Sequence, residues 1–449
     1  MMKNKIEIEA VSWLSIISLM LNYFPYAVYI FLIDYKGNNL SNILPLAIFF
    51  AFRRTALFMF RDLRKNANFL AWLGLINAAI GYFISIFGIF TPILFQIGAI
   101  FIGCSAALFP TSLNQSKRNV VTNQKKNKKS SNGFLKILKI FLIIAFYALL
   151  ARFYIALSFL FMLVWTGVAM IGYKSLYGKL SITKKVKFNL KNLIFICILL
   201  IALFLMELGR SQDKGTIVKR GIFLLIIFLI ILILILIFDR KPHLTRASKN
   251  IYLQMMMYGV CAMFWVTYSA VFITVLYGAN LFAWVFLAYI AGIILEKPLT
   301  KMVIKVSPFS TLTTNSFLMI VGILATFWLP TYFIGIFIIR IFANAQKRIT
   351  IDEYEKETGS YEEVQYLSYY LTTLSAFLTQ AIMWIALIIC CSPKGFDNIL
   401  YSITFHQIAS HYSSNIELTH LVLAAFMIIF ILITYIFSKK EKRLIIRNL

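Results

Sequence analysis

Three of the four histidines, His406, His411 and His420, lie near the C-terminal end of the sequence together with Glu417. Histidine and carboxylate side chains are common zinc ligands, and helical zinc sites place two ligands four residues apart. Here the first two histidines are five residues apart and Glu417 precedes His420 by three, so the spacing fits a zinc site poorly. We predict an ordinary polar segment, with no metal site, no catalytic residue and no cofactor.

Three arginines, Arg53, Arg54 and Arg340, lie inside long apolar runs. A guanidinium group binds carboxylate or phosphate through two parallel hydrogen bonds, so these side chains are candidates for holding an anionic solute. In the alternative interpretation they extend to the headgroups at the cytoplasmic face, or pair with Asp62 or Asp352. Both interpretations stay open, and Arg340 is taken as a candidate substrate-binding residue.

The acidic residues nearest to the apolar runs lie at their ends, at Asp34, Glu207, Glu296 and Glu417. Proton-coupled transporters typically carry a carboxylate or a histidine relay within the membrane. The sequence therefore does not favour a proton-coupled mechanism.

The composition decides the class of protein that carries these residues. Of the 449 residues, 61% are hydrophobic and 14% are charged, and the mean hydropathy is +0.82. Soluble domains contain about 25% charged and 45–50% apolar residues. These values exclude a water-soluble enzyme and a nucleic-acid-binding domain, and they predict an all-α polytopic membrane protein.

Apolar runs long enough to cross a bilayer, about 20 residues each, predict fourteen transmembrane helices. The run 137–173 is too long for one helix and is divided into a hairpin near Arg152. The order is six helices (1–173), a basic linker with an inserted helix pair (174–250), and six more helices with a basic tail (251–449). The spans are 10–33, 43–60, 69–88, 89–113, the two halves of 137–173, 193–208, 221–238, 251–277, 281–295, 311–328, 331–345, 364–391 and 418–437.

The basic residues predict the orientation. With a cytoplasmic N-terminus, the inside segments hold 34 Lys and Arg residues and the outside segments hold 7. Cytoplasmic loops collect basic residues for topological reasons, so both termini are predicted to be cytoplasmic in a cell membrane. This distribution accounts for most of the net charge of +27 without a nucleic-acid partner.

Several predicted helices carry a polar and aromatic face. Asn22 and Tyr26 share one in the first span, while Trp265 and Tyr268 belong to one in the span 251–277, which also includes Gln254 and Tyr258. Such a face points to the interior of a helical bundle or to a cavity, because polar groups are costly in hydrocarbon. Ordinary packing, with each polar group satisfied by a neighbouring helix, is an equally good interpretation.

Glycines mark close helix contacts. Gly74, Gly81 and Gly88 repeat every seven residues along the third span. A stripe of small residues lets two membrane helices approach closely, so we predict a tight contact on this face.

The plan of six, two and six helices resembles the major facilitator superfamily, particularly its fourteen-helix branches. The segment 60–65 (Phe-Arg-Asp-Leu-Arg-Lys) is similar to the Gly-x-x-x-Asp-Arg-x-Gly-Arg-Arg loop of that family, although both glycines are missing. The segment 98–110 is similar to its glycine-rich fourth helix, and Arg340–Asn344 occupies a comparable place in the second half. The resemblance implies alternating access around a cavity lined by Asn22, Tyr26, Trp265, Tyr268 and Arg340, with Asp62 and Arg64 in a gating loop.

The leading hypothesis is therefore a monomeric secondary transporter or exporter, not an enzyme, that carries a small amphipathic or anionic solute. Its partners would be a small-molecule or lipid-like substrate and the membrane lipids. Three alternatives stay open: a flippase for lipid-linked glycans or lipids, a membrane-embedded transferase or polymerase, and a partner protein on the same scaffold that no longer transports.

Overall fold

The computed structural model is built of helices, and no strand occurs among the residues that it describes. These residues are 2–36, 40–60, 63, 66–124, 142–143, 146–147, 149–181, 248–263, 268–278, 281–359, 361–391, 395, 398–399 and 410–447. The chain forms two compact units, Met1–Ser211 and Gln212–Leu449. The predicted inserted hairpin, 193–208 and 221–238, lies outside the described residues, as do Asp62, Arg64 and Trp265.

The first unit contains α1 to α5. Its most extensive contact is the hairpin of α3 and α4, and α4 also packs along α2. The helices are α1 (Met2–Lys36), α2 (Leu40–Met59), α3 (Ala67–Ile86), α4 (Ile93–Gln124) and α5 (Ile155–Tyr177). The core of this unit gathers around Phe159 of α5, whose ring lies 5.8–6.3 Å from the rings of Tyr29, Tyr82 and Phe95.

The second unit contains α6 to α12. Helix α10 is central, because it packs against α6, α8 and α9. The helices are α6 (Lys249–Met263), α7 (Ser269–Tyr277), α8 (Phe282–Val306), α9 (Thr311–Ala325), α10 (Leu329–Thr358), α11 (Tyr361–Cys390) and α12 (Ser413–Arg447).

Six of the described helices are long and apolar enough to cross a membrane. The number is seven if α8 and α9, which are joined by a short break with a bend of 114°, count together as one span. Each predicted span that falls in the described residues corresponds to a helix, although some ends differ, and the helical run 137–173 is interrupted near Arg152 as predicted, since α5 begins directly after Tyr154. The chain is therefore an all-α, multi-pass membrane protein. The total of fourteen helices stays a prediction.

Two predicted spans lie in helices whose bounds differ from the predicted ones. The fourth span begins at Ile93, not at 89, because a 3-10 turn at Phe87–Ile89 is followed by Pro92, which suits the start of a helix. The span 331–345 is part of a 30-residue helix that ends at Thr358, where Gly359 adopts a left-handed conformation with φ of 67°. The predicted run 251–277 is helical on both sides of residues 264–267, which lie outside the described residues, as α6 and α7.

The glycine stripe on α3 is a close helix contact, as predicted. A Cβ atom added to Gly74 would lie 2.8 Å from the backbone nitrogen of Phe109, and one added to Gly81 would lie 2.9 Å from the carbonyl oxygen of Gly98. The hairpin of α9 and α10 uses the same device, because a Cβ on Gly335 would lie 2.5 Å from the carbonyl oxygen of Gly322. Each unit thus contains a hairpin in which glycine packs on glycine.

Candidate functional site

The strongest candidate site of the second unit surrounds Arg340 on α10. This side chain is 7% exposed, and its Nη1 donates a 2.6 Å hydrogen bond to the hydroxyl of Tyr258 on α6. Its guanidinium carbon also lies 4.5 Å from the ring centre of Tyr289 on α8 and 5.4 Å from that of Tyr258. Aromatic faces attract cations, so two neighbouring helices hold the guanidinium group in place.

Arg340 lies deep in its helix. It follows Leu329 by eleven residues, which corresponds to about 16 Å along the helix axis. The exposed Trp328, a residue type enriched at membrane surfaces, directly precedes α10. Because a hydrocarbon core is about 30 Å thick, Arg340 comes near the middle of the span.

For Arg340, neither extension to the headgroups nor pairing with Asp352 fits the structure. Its guanidinium group lies on Tyr258 and Tyr289 and is buried, so it does not extend to the headgroups. Asp352 follows it by twelve residues on the same straight helix, about 18 Å away, and cannot pair with it.

A second cation shares the phenol of Tyr258. Lys347 lies two turns after Arg340 on α10, and its Nζ is 4.3 Å from the ring centre of Tyr258. Two cations at one aromatic ring concentrate positive charge inside an apolar bundle, which is an arrangement that attracts an anion.

The site depends on a glycine of the facing helix. A Cβ atom added to Gly292 of α8 would lie 2.9 Å from Cγ of Arg340. The missing side chain leaves room for the aliphatic part of the arginine. One turn further along both helices, Glu296 accepts a hydrogen bond from Asn344 and forms a 2.6 Å ion pair with Arg348.

Glu296 was predicted at the end of a span, and it lies within a longer helix. The helix α8 continues for ten residues beyond it to Val306, and Glu296 is 5% exposed. Composition suggested an end here because Lys297 and Pro298 follow directly. The helix tolerates this proline at the loss of one backbone hydrogen bond.

The first unit contains an arginine–tyrosine pair similar to that of Arg340 and Tyr258. Arg53 of α2 donates a 2.5 Å hydrogen bond to the hydroxyl of Tyr26 on α1, and its guanidinium carbon lies 4.9 Å from the ring centre of Tyr26 and 5.8 Å from that of Tyr23. Arg53 precedes the last residue of α2, Met59, by about 9 Å along the axis. Asn22 is partly buried on the same helix as Tyr26.

Tyr268 lies within the core of the second unit. It is 1% exposed, and its hydroxyl donates a 3.0 Å hydrogen bond to the carbonyl oxygen of Ile416. Its ring packs against Phe272 and His420. For this residue the interpretation as ordinary packing is the better one, because a neighbouring helix satisfies the hydroxyl.

His420 belongs to the same packed cluster. It is 2% exposed, its Nε2 lies 3.1 Å from Oγ1 of Thr326, and its ring contacts Phe272 and Phe327. His411, by contrast, is exposed beside Tyr412, and His406 lies outside the described residues. In the described part of the chain, no group of three His, Cys, Asp or Glu side chains is placed to hold a metal ion.

A buried amide network ties three helices of the second unit together around Gln254 of α6. Its Nε2 donates to Oδ1 of Asn250 at 2.8 Å and to Oγ of Ser438 at 3.1 Å. Its Oε1 accepts hydrogen bonds from Gln346 at 2.7 Å and from Thr350 at 2.8 Å. Both protons and both lone pairs of the Gln254 amide are therefore used.

Replacing Gln254 with leucine is expected to destabilise the protein by about 2–3 kcal/mol, because hydrogen bonds between membrane helices contribute about 0.6 kcal/mol each and the partners would stay buried without theirs. Thermal unfolding in detergent should show a midpoint lower by roughly 5–10 °C. Asn77→Leu is the matched control, since the Asn77 amide donates to Leu73 within its own helix. Equal midpoints for the two variants would contradict a structural role for the network.

Known structures resemble the whole chain. The POT family transporter PepTSo, solved in meso, aligns with a TM-score of 0.53 and 12% identity, covering 97% of this chain and 98% of that one. A POT family transporter in complex with 5-aminolevulinic acid aligns with a TM-score of 0.51 and 13% identity, covering 96% of each chain. This chain is similar in fold to the POT family transporters. No family model and no curated protein sequence matches it.

The POT family lies within the major facilitator superfamily. The fold that the resemblance implied is therefore confirmed, whereas membership of that superfamily and the fourteen-helix plan with its inserted pair stay predictions. Tyr289, Lys347 and Gly292 were missed by the sequence analysis. Lys347 could have been found from its spacing of seven residues from Arg340, which places both on one helix face.

Proposed function

We propose that the protein is a secondary membrane transporter that carries a small amphipathic or anionic solute by alternating access between its two helical halves. The similarity in fold to POT family transporters supports transport as the function. The main support for an anionic solute is Arg340. Burying a guanidinium group in the middle of a span costs free energy, and charged residues in such positions mark substrate pathways.

The chemistry around Arg340 favours a carboxylate. The guanidinium group offers a planar fork of donors that matches a carboxylate or a phosphate, and Lys347 adds a second positive charge at the same aromatic ring. Tyr258 and Tyr289 offer apolar faces for the remainder of a small amphipathic molecule. One of the structurally similar transporters holds 5-aminolevulinic acid, which has a carboxylate on a short chain.

The first unit carries a candidate substrate contact of its own. Tyr26 and Arg53 form a pair of the same chemistry as Tyr258 and Arg340, and Asn22 lies one turn before Tyr26. The proposal includes Trp265 as a substrate contact and Asp62 and Arg64 in the gating loop, on the resemblance alone. It further includes a monomer in the cell membrane with both termini in the cytoplasm.

Uptake into proteoliposomes tests this proposal. Purified protein would be reconstituted, and the accumulation of four labelled compounds that carry a carboxylate or a phosphate would be measured: 5-aminolevulinic acid, dialanine, lactate and glycerol 3-phosphate. We expect at least one to enter at a saturable rate well above that of protein-free liposomes, and its methyl ester or neutral analogue to compete weakly. Uptake of all four equal to that of empty liposomes would overturn the proposal.

A further inference from the structure

A cleft lies on the first unit where the ends of α3, α4 and α5 meet. Its volume is about 520 Å³, within the range of small-molecule sites. Nine of its ten lining residues are uncharged, among them Ile86, Phe95 and Leu160, and the tenth is Arg152. The cleft is therefore an apolar groove with a single positive charge.

The cleft opens toward hydrocarbon. Phe153 is 63% exposed, and Leu157 and Leu160 are each 44% exposed. Large exposed apolar side chains on a membrane helix face the lipid, since they do not meet water there. The molecule that reaches this groove most directly is consequently a membrane lipid.

The positive charge distinguishes between classes of lipid. Arg152 is exposed at the end of a helical stretch, and its guanidinium carbon lies 5.8 Å from the ring centre of Phe153. It is one of only seven basic residues in the segments predicted to lie outside. An arginine in this position binds a phosphate through two parallel hydrogen bonds.

Two neutral groups beside Arg152, at the start of α5, also favour the binding of an anion. The hydroxyl of Tyr154, which is 65% exposed, can donate a hydrogen bond. Helix α5 begins at Ile155 without a side-chain cap, and its first bond runs from the nitrogen of Ser158 to the carbonyl of Tyr154. The first amide groups of a helix favour a negative charge.

We propose that this cleft binds an anionic phospholipid, with the phosphodiester on Arg152 and one acyl chain along Ile86, Phe95 and Leu160. The acyl chain gains little over its place in the bilayer, because lipid tails are as apolar as the groove. The headgroup therefore decides which lipid stays. Phosphatidylglycerol, with a net negative charge, is preferred over phosphatidylcholine, whose choline cation Arg152 repels. This site is independent of the proposed transport function.

Retention of lipid by the purified full-length protein tests the site. The protein in mild detergent would be equilibrated with equal amounts of phosphatidylglycerol and phosphatidylcholine, and the bound lipid would be counted by native mass spectrometry. Wild-type protein should retain phosphatidylglycerol preferentially. Arg152→Gln should reduce this preference roughly five- to tenfold, because one basic group near a lipid surface and its charged hydrogen bonds are lost.

Three further variants separate the groove from general charge effects. Lys174→Gln removes an exposed basic residue from the other end of α5 and should leave the preference unchanged. Arg152→Lys should keep most of it. Ala156→Trp fills the cleft and should release both lipids. This variant tests lipid binding in the cleft even if Arg152→Gln does not fold. A wild-type preference in Arg152→Gln, or unchanged lipid retention in Ala156→Trp, would overturn the proposal.

Discussion

Replacing Arg340 with glutamine is expected to raise the KM for the transported anion roughly 10- to 100-fold, because charge-assisted hydrogen bonds contribute about 1.5–3 kcal/mol. Glutamine keeps a polar side chain, shorter than that of arginine, and removes the positive charge. The measurement is the rate of uptake into proteoliposomes as a function of the concentration of whichever of the four compounds enters fastest.

The controls for Arg340 separate charge from folding. Arg340→Lys keeps the charge but loses the planar fork, so its KM should lie between those of wild type and Arg340→Gln. Lys356→Gln removes a charge near the end of the same helix, outside the site, and should transport like wild type. The binding role of Arg340 is refuted if Arg340→Gln, reconstituted to the same density, has the KM of the wild-type protein.

Replacing Gly81 with valine is expected to prevent the first unit from folding. A Cβ atom at this position would lie 2.7 Å from Cγ1 of Ile102 and 2.9 Å from the backbone oxygen of Gly98 and the backbone nitrogen of Ile102. The last two atoms belong to the main chain of α4 and cannot rotate away, so α3 and α4 would have to separate. Overpacking of this kind costs about 1–3 kcal/mol or more, and the two methyl groups of valine extend the clash.

Gly167 provides the matched control for this substitution. It lies in α5, and an added Cβ atom would meet no other atom within 4 Å. Gly167→Val should therefore give a monodisperse peak in size-exclusion chromatography at wild-type yield, whereas Gly81→Val should give aggregate or no protein. If both variants elute like wild type, the contact between α3 and α4 is not needed for folding.

The positions of the spans could be predicted from the sequence because the thickness of the bilayer sets the minimum length of a spanning apolar segment. Runs of about 20 apolar residues are required wherever a helix crosses hydrocarbon, so the described helices contain the predicted spans. The repeat of Gly74, Gly81 and Gly88 was also informative, since only a close partner explains small residues on one face. Both inferences depend on local pattern alone.

The helix ends could not be read in the same way. Hydropathy measures where a segment leaves the hydrocarbon, and a helix continues into water as long as its backbone hydrogen bonds do. The helix that contains the predicted span 331–345 therefore continues to Thr358, and the helix that contains the predicted span 281–295 continues to Val306. These extensions moved Lys347 onto the face of Arg340 and placed Glu296 inside a helix.

The environment of Arg340 was decided by tertiary structure alone. Charge and hydropathy showed that an arginine occupies an apolar run, and they were compatible with anion binding, with extension to the headgroups, or with an acidic partner. The answer depended on residues distant in sequence: Tyr258 on α6, Tyr289 on α8, and Gly292, whose missing side chain admits the arginine. Sequence periodicity places a side chain on one face of its own helix, but which neighbouring helix meets that face is fixed only when the bundle packs.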